Sequence, residues 1–237
     1  MDFEGYINQL RRIYFSELIM MLAEIVALIT AIIWIRKYYI GRLFIFFISF
    51  DLCIYLTGVI LPFWIKLDPK STNKFIWVTN NLVAFVELIV YGYFFYKILA
   101  GQILKKIIII FASFYAALIL MYLITKFNFV SERLRYISML ISVLEFLFLF
   151  PLCLIFYKRL LQSNSKIKLF ERPSFWIVTG IFFFSFLSVP HHLLSTLLVE
   201  SKHEWRYIFG AGLFYLPYTI NFVLLIKAFS CKKPLTI

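Results

Sequence analysis

Seven stretches of this chain, at 15–35, 43–64, 75–96, 107–125, 136–157, 174–199 and 207–226, are nearly uninterrupted in apolar side chains. Each is close to the roughly 20 residues that an α-helix needs to cross a hydrocarbon core about 30 Å thick. The connectors between them are too short to wrap seven apolar helices in a polar shell, as a soluble fold would require. Only 15% of the 237 residues are charged, whereas a soluble domain carries about a quarter. The runs also lack the period-two alternation of a membrane β-barrel. The expected fold is therefore all-α: a polytopic bundle of about seven transmembrane helices forming one integral membrane domain over 1–237.

Tryptophan placement agrees with this reading, because an indole ring prefers the membrane–water boundary, where its N–H stays wet. All 5 tryptophans, Trp34, Trp64, Trp77, Trp176 and Trp205, fall at the ends of the apolar runs. The first run lacks a small-residue cleavage site and is too long for a signal-peptide core, so it is expected to be retained. Of the 3 cysteines, Cys53 and Cys153 lie inside apolar runs and Cys231 lies beside Lys232 and Lys233. No disulfide framework is implied.

An odd number of spans puts the termini on opposite sides. The odd-numbered runs exit into basic clusters at Arg36-Lys37, Lys97, Lys158-Arg159 and Lys227, and basic residues are held preferentially in the cytoplasm. A plasma or inner membrane location follows, with the N-terminus outside and the C-terminus cytoplasmic. The net charge of +12 then serves orientation and attraction to anionic membrane lipid. No soluble basic domain is present to grip a nucleic acid.

The fourth run is the least polar, carrying Ser113 and a Tyr115/Tyr122 pair, whereas the three runs on either side each hold an ionisable or amide group. That pattern suggests a three-plus-one-plus-three arrangement with a peripheral fourth helix that lends nothing to a central site.

An acid at the centre of a membrane helix costs roughly 2.5–3.5 kcal/mol on insertion scales and normally turns inward. Glu24, Asp51, Glu87 and Glu145 are such acids, while Glu17 is near enough to an edge to reach water. Positions three, four or seven apart share a helix face. By that rule Glu24 joins Ala27 and Ala31, and Asp51 joins Tyr55 and Gly58. Glu87 joins Asn80, Ala84 and Tyr91; Glu145 joins Ser138 and Ser142; His192 joins Ser185, Ser188 and Ser195.

The expected ligand-binding set is Glu24, Glu87, Glu145, His191 and His192 with Asn80, and a second polar layer of Asp51 and Asn221 nearer the cytoplasm. Close carboxylates cannot all stay ionised without a cation, so at least one should hold a proton. Pro151, Pro190 and Pro217 stand inside the last three runs, where each removes a backbone hydrogen bond and can kink a helix.

The competing structural role for these groups is interhelical hydrogen bonding, worth about 0.6 kcal/mol per bond in measured cases. No motif assigns catalytic roles: H-E-x-x-H, G-x-S-x-G, a P-loop and a dinucleotide fingerprint are all absent. Adjacent histidines diverge by about 100° on a helix, so His191 and His192 are not expected to ligate one ion together from a regular backbone. Retinal binding would need a lysine deep in the last helix, and Lys227 stands at its end. No cofactor is implied.

Three functions fit these features. The first is transport of a small solute or cation through the polar pocket. The second is a receptor-like sensor acting on a cytoplasmic protein partner. The third is an accessory subunit whose polar groups meet another membrane protein.

Overall fold

A computed structural model describes residues 15–34, 39–64, 69–99, 101–128, 133–162, 169–200 and 205–231. They form seven α-helices and no strand: α1 Phe15–Trp34, α2 Tyr39–Trp64, α3 Pro69–Ile98, α4 Gln102–Asn128, α5 Arg133–Gln162, α6 Pro173–Glu200 and α7 Trp205–Phe229. A single 3-10 turn, Leu169–Glu171, precedes α6.

Helix starts follow local chemistry. Pro69 and Pro173 occupy the first positions of α3 and α6, where a missing N–H has no helical partner to lose. Between α3 and α4 the chain reverses at Gly101, whose φ of 125° is a conformation that L side chains rarely adopt. The helices also run past the apolar runs into their flanks, as α4 does by taking in Lys105 and Lys106.

Three windows are long and apolar enough to cross a membrane: Tyr39–Thr57, Asn81–Ile98 and Gln102–Met121. Leu18–Trp34, Pro173–Ser188 and Tyr215–Phe229 are shorter apolar helical stretches among the described residues. Large apolar side chains cover the outside of the described helices as well as their core. On α1 the large apolar Leu18, Leu22, Val26, Ile29 and Ile33 are exposed, while Met20, Ala23, Glu24, Ala27 and Ala31 face inward. An outer surface of this kind suits contact with hydrocarbon.

Neighbour contacts close a ring: α1 meets α2, α2 meets α3, α3 meets α5, α5 meets α6, α6 meets α7, and α7 returns to α1. The α6–α7 and α1–α7 seams are the most extensive. The alanine stripe of α1 explains the second, since small side chains let helix backbones approach. Helix α4 lies outside the ring against α3 and α5. Its inner stripe, Ile108, Tyr115 and Ile119, is buried, while Ile107, Ile110, Phe114 and Leu120 are exposed.

Aromatic rings fill one end of the ring. Phe44 of α2 contacts Tyr91 and Phe94 of α3 and Phe229 of α7, at centroid distances of 6.1, 5.9 and 5.8 Å. Phe47 adds an edge contact to Tyr91 at 5.7 Å. These residues belong to the main core cluster and tie three helices together at the C-terminal end of α7.

Candidate functional site

The inward faces of the ring bring the acids into one neighbourhood. Glu24, Glu87 and Glu145 are 1%, 3% and 1% exposed, and Asp51 is partly buried. Glu24 of α1 and Asp51 of α2 lie within electrostatic reach of one another. Glu87 of α3 reaches both Asp51 and Glu145 of α5. The four acids thus form an arc across four helices, in the order Glu24, Asp51, Glu87, Glu145. Among the described residues no three His, Cys, Asp or Glu side chains approach closely enough to hold a metal ion, so the arc is not a compact metal centre.

Asp51 stands at the middle of α2, which begins at Tyr39, and lies within electrostatic reach of Tyr91 as well as of the acids. Asn221, expected to share a layer with Asp51, lies in the C-terminal half of α7. Its Nδ2 donates to the hydroxyl of Tyr91 at 2.7 Å, and Tyr91 lies one turn beyond Glu87 on α3.

Gly180 of α6 makes that layer possible. A Cβ there would lie 2.7 Å from Asn221 Oδ1 and 3.4 Å from the Asn221 carbonyl oxygen. Glycine therefore sets the closeness of the α6–α7 seam.

The fourth helix also departs from expectation. Ser113 is exposed, as a peripheral helix requires, but Tyr115 is fully buried and its hydroxyl donates to Glu145 Oε2 at 3.1 Å. The expectation that α4 lends no group to the site is thus corrected. Tyr115 is brought inward by the apolar stripe it shares with Ile108 and Ile119, and by the stacking of Phe111 on Phe148 of α5, with centroids 3.9 Å apart. The spacing of 108, 111, 115 and 119 marked that face in the sequence. Tyr218 of α7 was also missed; it packs edge-on against Phe184 of α6 at 4.8 Å and lies within electrostatic reach of Glu87, Asp51 and Glu145.

Several polar atoms around this neighbourhood are buried without a hydrogen-bond partner: both carboxylate oxygens of Glu24, Oε1 of Glu145, Oδ1 of Asn221 and the hydroxyls of Ser185 and Ser188. Unpaired buried polar groups cost about 1–3 kcal/mol each. A bundle held together only by interhelical hydrogen bonds would pair them.

His191 and His192 lie in α6, and Asn80 in α3, but their side chains, like those of Glu17, Ser138, Ser142 and Ser195, lie outside the described residues.

One consequence is local. Tyr115→Phe removes the partner that Glu145 has, and should lower stability by about 1–3 kcal/mol as read by thermal unfolding in detergent. An unchanged melting temperature would mean that the Tyr115–Glu145 bond contributes nothing. No known protein family, characterised protein or solved structure matches the chain.

Proposed function

We propose that the chain is a seven-span integral membrane protein whose central acids bind a small solute or cation during transport. The carrying observation is the arc of Glu24, Asp51, Glu87 and Glu145 on four ring helices, with both Glu24 oxygens buried and unpartnered. Intramembrane acids that serve packing alone are rare, and those lining substrate or proton pathways are common.

In this reading the ring helices span the bilayer and α4 links two three-helix halves from outside. The N-terminus is outside and the C-terminus cytoplasmic, which places the Phe44–Phe94–Phe229 cluster at the cytoplasmic end. That cluster closes the route beneath the acids and has to part during a transport cycle. The prolines of α5, α6 and α7 supply places where those helices can bend.

Two measurements test this. A reporter fused after Ile237 should be active on the cytoplasmic side; activity on the outer side overturns the orientation and the odd span count. Purified protein in liposomes loaded with a pH-sensitive dye, challenged with gradients of Na+, K+, sugars and amino acids, should show flux with at least one of them above protein-free liposomes. Flux with none overturns transport.

A sensing role has one specific observation in its favour. Lys227, near the end of α7, lies over the Trp176 ring at 5.9 Å, and Trp176 Nε1 donates to the Phe170 carbonyl at 2.9 Å. This relay joins α7 to the connector before α6, a surface open to a cytoplasmic protein partner. Ligand-dependent thermal stabilisation without any flux would select this reading.

A further inference from the structure

The unpartnered atoms of the interior have a common chemistry. Glu24 Oε1 and Oε2, Glu145 Oε1 and Asn221 Oδ1 are hydrogen-bond acceptors, and the Ser185 and Ser188 hydroxyls can also present lone pairs. The two serines are telling. A hydroxyl on a helix ordinarily satisfies itself by donating to the carbonyl four residues back, and Thr30, Thr57, Thr179 and Thr219 all do so at 2.6–2.8 Å. Ser185 and Ser188, at 0% and 3% exposed, do not. Ser188 lies one turn beyond Phe184, whose ring covers Tyr218, and Tyr218 is within reach of Glu87, Asp51 and Glu145. Phe184 also packs on Phe146, the chain neighbour of Glu145, with centroids 5.0 Å apart, so the serine pair stands within one helical turn of a residue that contacts neighbours of the arc.

Fixed positive charge is placed elsewhere. Arg42, Lys97, Lys105 and Lys227 stand near helix ends over the rings of Tyr39, Tyr93, Tyr96 and Trp176. Among the described residues the interior is thus rich in acceptors and holds no buried Lys or Arg side chain. A divalent ion is a poor fit, because Ca2+ takes six to eight oxygen ligands and no three described acids or other metal-binding side chains converge. A single charge needs only one or two neighbouring carboxylates, with neutral oxygens completing its shell.

We infer that the acidic arc binds one monovalent cation in exchange for one proton, with Ser185 and Ser188 as neutral ligands. This rests on the reading of the arc as a ligand site and specifies what it takes. In the empty state a carboxylic O–H holds the proton. On binding, that O–H bond breaks heterolytically, the proton leaves to water and the cation takes its place beside the carboxylate oxygens. Net charge in the interior is unchanged, which avoids the cost of carrying an uncompensated charge through a low-dielectric bundle.

The groups that face the exchange are Glu24 from α1, Asp51 from α2, Glu87 and Tyr91 from α3, Tyr115 from α4, Glu145 from α5 and Tyr218 from α7. Helix α6 offers Ser185 and Ser188 among its described side chains. A compact positive charge is common to alkali ions and small primary ammonium ions, so the test separates the two.

The purified full chain in weakly buffered detergent with a pH dye is titrated with NaCl, KCl, methylammonium chloride or choline chloride at matched ionic strength. The expected result is saturable release of about one proton per chain with an alkali ion or with methylammonium, and none above background with choline. Saturation by NaCl or KCl identifies an inorganic ion, and saturation by methylammonium alone an organic one; both support the exchange. Ser185→Ala/Ser188→Ala, which removes only hydroxyls, should weaken that affinity by on the order of tenfold.

No release above the choline control with any of these salts overturns the inference. If the liposomes still carry a sugar or an amino acid, the transport reading survives that failure. If they carry nothing, both fall. Affinity unchanged in the serine variant overturns the assignment of Ser185 and Ser188 as ligands.

Discussion

Glu24→Leu is expected to yield a protein that is more stable than the parent and inactive. Glu24 is buried with neither oxygen paired, so its carboxyl group gives up hydration without gaining a protein hydrogen bond. Leucine has a similar reach and suits a helix whose inward neighbours are Met20, Ala23, Ala27 and Ala31. Removing the unpaired group should stabilise by about 1–3 kcal/mol, which for a chain of this size corresponds to roughly 2–12 °C in melting temperature. Flux in liposomes should fall by at least about 100-fold, the effect of about 2.7 kcal/mol or more on a rate. A residue retained for packing would behave the other way: Glu24→Leu would melt lower and leave flux intact.

Gly180→Ala should cost about 1–3 kcal/mol, although it adds one methyl group. The new Cβ would meet Asn221 Oδ1 at 2.7 Å, with the Asn221 carbonyl oxygen and Leu224 Cβ at 3.4 and 3.5 Å. Either α6 and α7 move apart along the most extensive seam of the ring, or Asn221 rotates and releases its 2.7 Å bond to Tyr91. The first is overpacking, worth roughly 1–3 kcal/mol, and the second forfeits a buried hydrogen bond, worth about 1 kcal/mol or more. A double-mutant cycle with Asn221→Ala, read by thermal unfolding, separates the clash from a general helix effect. Gly180→Ala should cost little once Asn221 is Ala. Additive costs would mean that the Gly180–Asn221 approach is not what the glycine provides.

The helical class and the approximate positions of all seven helices were legible in the sequence, because runs of about 20 apolar residues have few other uses. Acid placement was legible in part. Helical spacing put Glu24 on the alanine face and Glu87 on the Tyr91 face, and the structure has both inward. The reach of Asp51 to both Glu24 and Glu87 was not legible, because it depends on how α2 packs against α1 and α3. Tyr115 was missed for a different reason. A helix without acids looked irrelevant to a polar site, yet a tyrosine needs only an apolar stripe to carry it inward and one acceptor to meet, here Glu145. Gly180 and Asn221 could not have been paired from the sequence, since their contact depends on how α6 and α7 cross.

The central claim is that the interior acids serve a ligand and not only the bundle. Glu87 tests it most directly, because it is 3% exposed and reaches both Asp51 and Glu145 in the arc. Glutamine keeps its shape and hydrogen-bonding capacity while removing the exchangeable charge. The decisive measurement is flux and its pH profile for Glu87→Gln in liposomes, beside the melting temperature of the same preparation. Flux at the level of protein-free liposomes with a melting temperature within about 2 °C of the parent is the predicted result. A folded Glu87→Gln protein with unchanged flux and an unchanged pH profile would contradict the account.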